Sequence, residues 1–233
     1  MQKITLEYLD DVLVRLAHHS SAIEGNTITL ADTITIILHG TIPGSPSKRE
    51  FYEIENHRGA FDYILAAIDH KEDLSTSLVK DIHAKLMERL AHDAGIFKKE
   101  ENAILGAEFN TASVSQTPMM MQQWVENTKF KINLANNDDR KIIEAVIDSH
   151  IEFEKIHPFS DGNGRTGRMI MNFLLLQNNN FPLIIKGEDR ALYLGFLAKE
   201  DVKTFSDFAS ELINFEKDRS LRFASKEANR IEL

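Results

Sequence analysis

The stretch His157-Pro158-Phe159-Ser160-Asp161-Gly162-Asn163-Gly164-Arg165-Thr166-Gly167-Arg168 concentrates chemistry in one short run. It holds a base, a carboxylate, three glycines, an amide and two guanidinium groups. Glycines let the backbone turn tightly and aim successive N–H groups at one point. A helix starting there adds unpaired N–H groups and the positive end of its dipole. Arg165 and Arg168 are three residues apart, so one helix face carries both toward the same anion. Asp161 is a hard oxygen ligand suited to hold Mg²⁺ against phosphate oxygens. His157, just before the loop, is placed to take a proton from an incoming hydroxyl. Together these groups suit phosphoryl or nucleotidyl transfer.

Three other readings of the same run fit less well. Gly162-x-Gly164-x-x-Gly167 matches the dinucleotide-binding fingerprint, with Glu188 or Asp189 about twenty residues later. That fingerprint must leave a buried parallel strand, whereas Phe153-Glu154-Lys155-Ile156-His157-Pro158 is charged and contains proline. A Walker A loop needs Lys-Ser or Lys-Thr after its glycines, and none follows. A plain inter-helix turn would account for the glycines but not for the arginines, Asp161 and His157 beside them.

The elements that must position this run are helical. Leu6, Leu9, Val12, Leu13 and Leu16 form one apolar face, which runs to Gly25. Thr29-x-x-Asp32 opens a second helix that Gly40 ends, and Ser47-Lys48-Arg49-Glu50 is a capping box before a third. The pattern continues from about Ser77 to Leu90. Punctuation by Gly, Asn, Ser and Thr over residues 95–116 predicts a loop with a short β-hairpin. Pro118 suits a first helical turn, and Asp138 or Asp139 caps a helix ending near Ile156. Met169 to Leu176 is apolar except for Asn172, which predicts a central helix buried all round. Two more helices are expected near 189–199 and 204–223. The resulting fold class is all-α with one small hairpin, in a single structural domain.

Composition narrows the function. The 233 residues carry 27 Lys plus Arg against 36 Asp plus Glu, a net charge of −9. Such a chain repels nucleic acid and anionic membrane as a whole. It has no cysteine, which excludes disulfides, thiolate zinc sites and cysteine nucleophiles. No apolar run approaches the ~18 residues of a membrane span, and the opening residues lack a signal-peptide pattern. A cytoplasmic protein is the expectation.

HPFSDGNGRTGR resembles the signature of Fic-domain proteins, His-x-Phe-x-(Asp/Glu)-Gly-Asn-Gly-Arg-x-x-Arg, at every defined position. The resemblance implies an α-helical Fic fold with a β-hairpin flap, and transfer of AMP from ATP to a hydroxyl of a target protein with release of pyrophosphate. It implies His157 as general base and Asp161 as ligand of Mg²⁺ or Mn²⁺. It makes Gly162, Asn163 and Gly164 the holders of the α-phosphate region, and Arg165 and Arg168 those of the distal phosphates, with Thr166 and Gly167 in the same nucleotide-binding turn. Ser20-Ser21-Ala22-Ile23-Glu24-Gly25 resembles the family's inhibitory motif, (Ser/Thr)-x-x-x-Glu-(Gly/Asn). Residues 1–40 are then an inhibitory helical region packed on a Fic domain of residues 41–233. In this arrangement Glu24 pairs in bidentate fashion with Arg168 in the place of a γ-phosphate, and Ser20 steadies Glu24. Ala103, Ile104, Leu105 and Gly106 resemble the flap on which a target segment docks. Tyr193 and Leu194, with Arg190 nearby, resemble the adenine side, where no counterpart is found to an Asn that some members use.

The implied partners are ATP and a protein target docked at the flap, with self-modification and homo-oligomerisation left open and neither membrane nor nucleic acid expected. Two alternatives remain: a hydrolase that uses Glu24 to remove AMP, and a non-enzymatic nucleotide sensor, against which the intact His157 argues. Elsewhere, His18-His19 has no third metal ligand at sensible spacing. His150 and Met119-Met120-Met121 with Trp124 read as packed helix residues.

Overall fold

The computed structural model describes the chain at residues 4–41, 44, 46–102 and 111–231, with side chains as far as Glu227. Nine α-helices follow in order among these residues: α1 Leu6–Ile23, α2 Leu30–His39, α3 Lys48–Asp69, α4 Thr76–Leu86, α5 Thr117–Ala135, α6 Asp139–Ile156, α7 Asn163–Gln177, α8 Arg190–Lys199 and α9 Val202–Ile231. A 3₁₀ turn, Gly187–Asp189, leads into α8. No strand occurs among the described residues. The hairpin expected around Ala103, Ile104, Leu105 and Gly106 falls at 103–110, outside them.

Local chemistry sets the helix ends. The Thr29 hydroxyl accepts from the Asp32 N–H, and Gly40 closes α2 in the left-handed region. Ser47 and Glu50 form a full capping box on α3. Asp138 caps α6 through the Lys141 N–H. Helix α4 stops at Leu86 rather than at Leu90, because Arg89 takes a positive φ of 61° and residues 87–90 form turns.

Helix α7 is the axis of the molecule. Met169, Ile170, Met171, Phe173, Leu174 and Leu175 are all buried, and α3, α4, α6 and α1 pack around them. One continuous apolar core runs from α1 to α9, and its removal from water is the main force holding the helices in place. Ion pairs clasp α1 to α9. Arg15 donates to Asp11 and Glu216, Arg219 donates to Asp11, and the Tyr8 hydroxyl donates to Glu216. The end of α1 is thereby held over the start of α7.

Candidate active site

The run 157–168 spans the end of one helix and the start of the next. His157 closes α6 in the left-handed region, at φ 49°. Gly162, at φ 77°, is the N-cap of α7. The loop between them is pinned from inside. Phe159 is fully buried and stacks on the His83 ring at 3.7 Å, with an interplanar angle of 3°. The Asn163 amide closes the turn: its Oδ1 accepts from the Phe159 N–H at 2.9 Å and its Nδ2 donates to the Phe159 carbonyl at 2.8 Å. The Asn163 side chain is therefore committed to the loop. A strap on the other side holds the same loop. The Lys98 N–H donates to the Pro158 carbonyl, and Asn102 Nδ2 donates to the carbonyls of Phe159 and His157.

The first turn of α7 leaves N–H groups without an intrahelical partner, and a carboxylate lies close to it. Glu24, just past the end of α1, packs so closely on Gly164 that any side chain there would strike its Oε1. Arg168 Nη2 donates to the same Oε1 at 2.7 Å. The contact is single rather than bidentate, because the rest of the Arg168 fork is used on Ser20. Nε donates to the Ser20 hydroxyl at 3.0 Å, and Nη2 donates to the Ser20 carbonyl at 2.9 Å. Ser20 thus acts on Arg168 directly and not through Glu24. Burial lifts the Glu24 carboxyl, but the Arg168 charge and hydrogen bond, with Arg165 behind them, hold it below the usual carboxylate range.

Arg165 is buried beside the same spot, and its Nε and Nη1 have no hydrogen-bond partner among the described residues. Glu53 and Asp161 lie at 3.9 and 3.7 Å from it, near enough for charge but too far for hydrogen bonds. Two buried guanidinium groups, one of them under-satisfied, facing a helix N-terminus make a strong anion site. Thr166 is fully buried, its hydroxyl also unpartnered.

Asp161 stands at the rim. Its Oδ1 accepts from the Gly162 N–H, and its Oδ2 accepts from Arg49 Nη2, both at 2.6 Å. Burial raises its pKa, but the Arg49 hydrogen bond and the Arg165 charge outweigh that, and the carboxyl stays ionised below its ordinary value. No group of three His, Cys, Asp or Glu side chains able to hold a metal occurs among the described residues. One exposed carboxylate beside two buried guanidinium groups nonetheless fits a Mg²⁺ ion that would take its remaining ligands from phosphate and water. The His157 ring lies half-buried near Lys98. Burial moves its pKa down, partly opposed by the Glu154 carbonyl, so the imidazole is a free base at neutral pH.

Tyr193 is buried behind Arg168, its hydroxyl accepting from Nη1 at 3.5 Å and hydrogen-bonded to Nε2 of His150 at 2.8 Å. Leu194, next along α8, is 37% exposed. Four participants escape sequence reading: Arg49, Glu53, the Lys98–Asn102 strap and Glu154, none of which shares a motif with the loop. The Arg190 Nε bond to the Ile23 carbonyl, at 2.6 Å, ties α8 to the end of α1. Met121 and Trp124 are core residues, as expected, while Met119 is exposed.

Comparison with known proteins agrees with this geometry. The protein adenylyltransferase Fic of Drosophila melanogaster is 28% identical over 198 residues, which is 83% of this chain and 39% of that protein. The chain thus spans about two fifths of the length of the curated relatives it matches. A Fic-domain-containing signaling protein from Bacteroides thetaiotaomicron superposes with a TM-score of 0.76 at 25% identity, covering 98% of this chain and 93% of that one. Fic-1 of C. elegans shares the fold with a TM-score of 0.77 at 19% identity, covering 98% of this chain and 68% of its own. Residues 73–175, which include the whole loop from His157 to Arg168, match the Fic/DOC family.

Proposed function

We propose that the chain is an autoinhibited protein adenylyltransferase that uses MgATP. The observation that carries this reading is the Glu24 carboxylate seated on Gly164 and Arg168, at a helix N-terminus next to the under-satisfied Arg165. The site already binds an anion, and it binds one belonging to the chain itself. In this reading the ATP phosphates lie along the N–H groups of Gly162, Asn163 and Gly164, with Thr166 and Gly167 in the same turn. Arg165 and Arg168 take the distal phosphates, and Tyr193 and Leu194 border the base. Asp161 would hold Mg²⁺ or Mn²⁺, which neutralises phosphate charge. His157 accepts the proton of a target hydroxyl as its oxygen bonds to the α-phosphorus. The bond from that phosphorus to the pyrophosphate oxygen then breaks. The target is a protein segment docked at residues 103–106. Residues 1–40 are the inhibitory region, and the cytoplasm is the compartment this reading implies. The curated relatives' name supports the AMP-transfer chemistry.

The test is labelling of a lysate or of the chain itself by each labelled nucleoside triphosphate, read by intact mass. Wild type is compared with Glu24→Gly and with Glu24→Gly/His157→Ala. Glu24→Gly should label with ATP at least about tenfold faster than wild type. The double variant should lose ~10²–10⁴-fold of that rate while still binding ATP. Equal labelling by wild type and Glu24→Gly would reduce Ser20–Glu24 to an ordinary helix end. Faster AMP removal by wild type would favour the hydrolytic alternative.

A further inference from the structure

Helix α1 ends in a turn that fixes the backbone of Glu24. The Gly25 N–H donates to the Ala22 carbonyl at 3.0 Å and the Asn26 N–H to the Ser21 carbonyl at 3.1 Å, with Gly25 at a φ of 98°. This is the Schellman pattern, and it makes Glu24, Gly25 and Asn26 one unit. That unit is docked from both flanks on a single residue of α3. The Ser21 hydroxyl donates to the Glu53 carbonyl at 3.2 Å, and Asn26 Nδ2 donates to Glu53 Oε2 at 3.0 Å. Asn26 Nδ2 also reaches the Glu50 carbonyl, at 3.0 Å. Glu53 is 7% exposed, and a carboxylate this buried needs partners. Asn26 supplies one at Oε2. At the other oxygen, Oε1 accepts from Arg49 Nε at 2.9 Å and lies 3.9 Å from Arg165 Nη1. Arg165 therefore receives charge from Glu53 but no hydrogen bond, and its Nη1 stays unpartnered. One carboxylate spans from the turn that carries Glu24 to the arginine beside the anion site.

We propose that Glu53 is a positioning residue for Glu24, acting through Asn26. It sets how close the Schellman turn lies to α7, and with that the fit of the Glu24 carboxylate on Gly164 and Arg168. The bond from Asn26 to the Glu53 carboxylate is charge-assisted, so it is the strong part of the docking. The bond from Ser21 is neutral and longer. Arg190 holds the Ile23 carbonyl from α8 and fixes the turn at one more point. Glu53 alone among these tethers also reaches toward Arg165, so the restraint and the phosphate holder are referred to the same side chain. Glu53 itself touches no reacting atom in this role. Its effect on the reaction passes through Glu24.

The inference rests on the reading that Glu24 restrains AMP transfer, and two readouts keep the pair apart. The first is the Glu24 carboxyl itself, titrated by ¹³C NMR in the full chain, with Glu24→Gly assigning the resonance. Arg168 holds that carboxyl below the usual range. In Asn26→Ala its proton affinity should rise by about threefold or more, half a pKa unit. Asn26→Asp, which sets carboxylate against carboxylate, should raise it too, and serves if Asn26→Ala does not fold. Adding Glu53→Gln to Asn26→Asp puts a donor opposite that acceptor again and should bring the Glu24 titration back toward wild type. The second readout is labelling with MgATP. Asn26→Ala should label about three- to tenfold faster than wild type, since part of a charge-assisted bond is lost. Glu24→Gly/Asn26→Ala should label no faster than Glu24→Gly. A Glu24 titration that neither Asn26 variant moves overturns the proposal, whatever the labelling. A reversed pair that titrates like Asn26→Asp alone overturns it too, because Glu53 is then not the partner. So does a labelling gain of equal size with and without Glu24. A titration that moves as expected, while Glu24→Gly labels no faster than wild type, supports the positioning role and overturns the inhibitory reading.

Discussion

Arg168 Nη2 stands 2.7 Å from Glu24 Oε1, across 144 residues of chain, while the same guanidinium grips the hydroxyl and the carbonyl of Ser20. The contact therefore has two parts. In the proposed reading, one is a carboxylate that a phosphate replaces, and the other is an anchor to Ser20 that stays in place.

That division ranks the variants. Ser20→Ala removes one hydrogen bond to a charged group but leaves the Ser20 carbonyl in place. It should raise ATP-dependent labelling a few-fold, roughly 1 kcal/mol, and by less than Glu24→Gly does. Arg168→Ala combined with Glu24→Gly should abolish labelling. Rates for the three proteins at saturating MgATP decide the order, and a Ser20→Ala rate above that of Glu24→Gly would contradict it.

In the proposed reading Arg49 competes with the metal for Asp161. The pair is half-exposed, so it is worth about 0–1 kcal/mol after solvent screening. In the Glu24→Gly background, Arg49→Ala should lower the Mg²⁺ concentration for half-maximal labelling by about two- to five-fold. Asp161→Ala should remove the metal dependence together with the activity. A metal requirement unchanged in Arg49→Ala would show that the guanidinium does not compete at Asp161.

Asn163→Ala breaks both hydrogen bonds of the loop clamp and strands the buried Phe159 N–H, while the Phe159 carbonyl keeps its bond from Asn102. The expected cost is about 2–4 kcal/mol, seen as a Tm lower by roughly 5–15 °C for a domain of this size. Labelling should fall as well, because the loop no longer holds His157 and Asp161 in register. Thermal unfolding followed by circular dichroism is the check, and an unchanged Tm would sink the clamp.

Acid should destabilise the fold before its carboxylates titrate. His57, His83 and His150 are buried neutral, and burial lowers their pKa values to about 3, 4 and 3. In the unfolded chain each takes a proton near pH 6.5. Their stability is therefore present above pH 6.5 and is lost as pH falls toward 4, at about 1.4 kcal/mol per pH unit for each histidine. Glu154, raised to about 8, acts in the opposite direction: its contribution is lost as pH rises from its unfolded value toward 8. The net slope near pH 5.5 is on the order of 2–3 kcal/mol per unit. Tm should fall between pH 7 and pH 5, and fall more steeply in Glu154→Gln. A Tm independent of pH over that range would contradict it.

Much of this was legible in the residues because it is local. The caps at Thr29, Gly40 and Ser47 and the all-round burial of α7 follow from short-range chemistry and periodicity. The run 157–168 was legible because its chemistry is contiguous. The Ser20–Glu24 pair needed only helical spacing to be placed on one face, although the use of the guanidinium fork on Ser20 was not visible. What periodicity cannot show is which distant side chains converge. Arg49, Lys98, Asn102 and Glu154 come from four different parts of the chain and look like ordinary charged or polar residues in it. The contact of Tyr193 with Arg168 was not visible either, because only the packing of α8 on α9 decides which way its ring turns. Helix α9 runs to Ile231, past the expected 223, carried by polar residues of good helix propensity.

The backbone on either side of Glu24 is tethered. The Ile23 carbonyl is held by Arg190, and the Asn26 amide donates to the Glu50 carbonyl and to Glu53. The ion-pair clasp between α1 and α9 holds the rest of the helix. For the carboxylate to let go, no helix has to travel; one side chain, 41% exposed, has to rotate. Rotations of that kind take picoseconds to nanoseconds, far faster than any enzymatic turnover. A restraint built this way behaves as a latch on a fixed frame. It has no memory and imposes no lag after nucleotide is added, and its strength at any moment follows mass action.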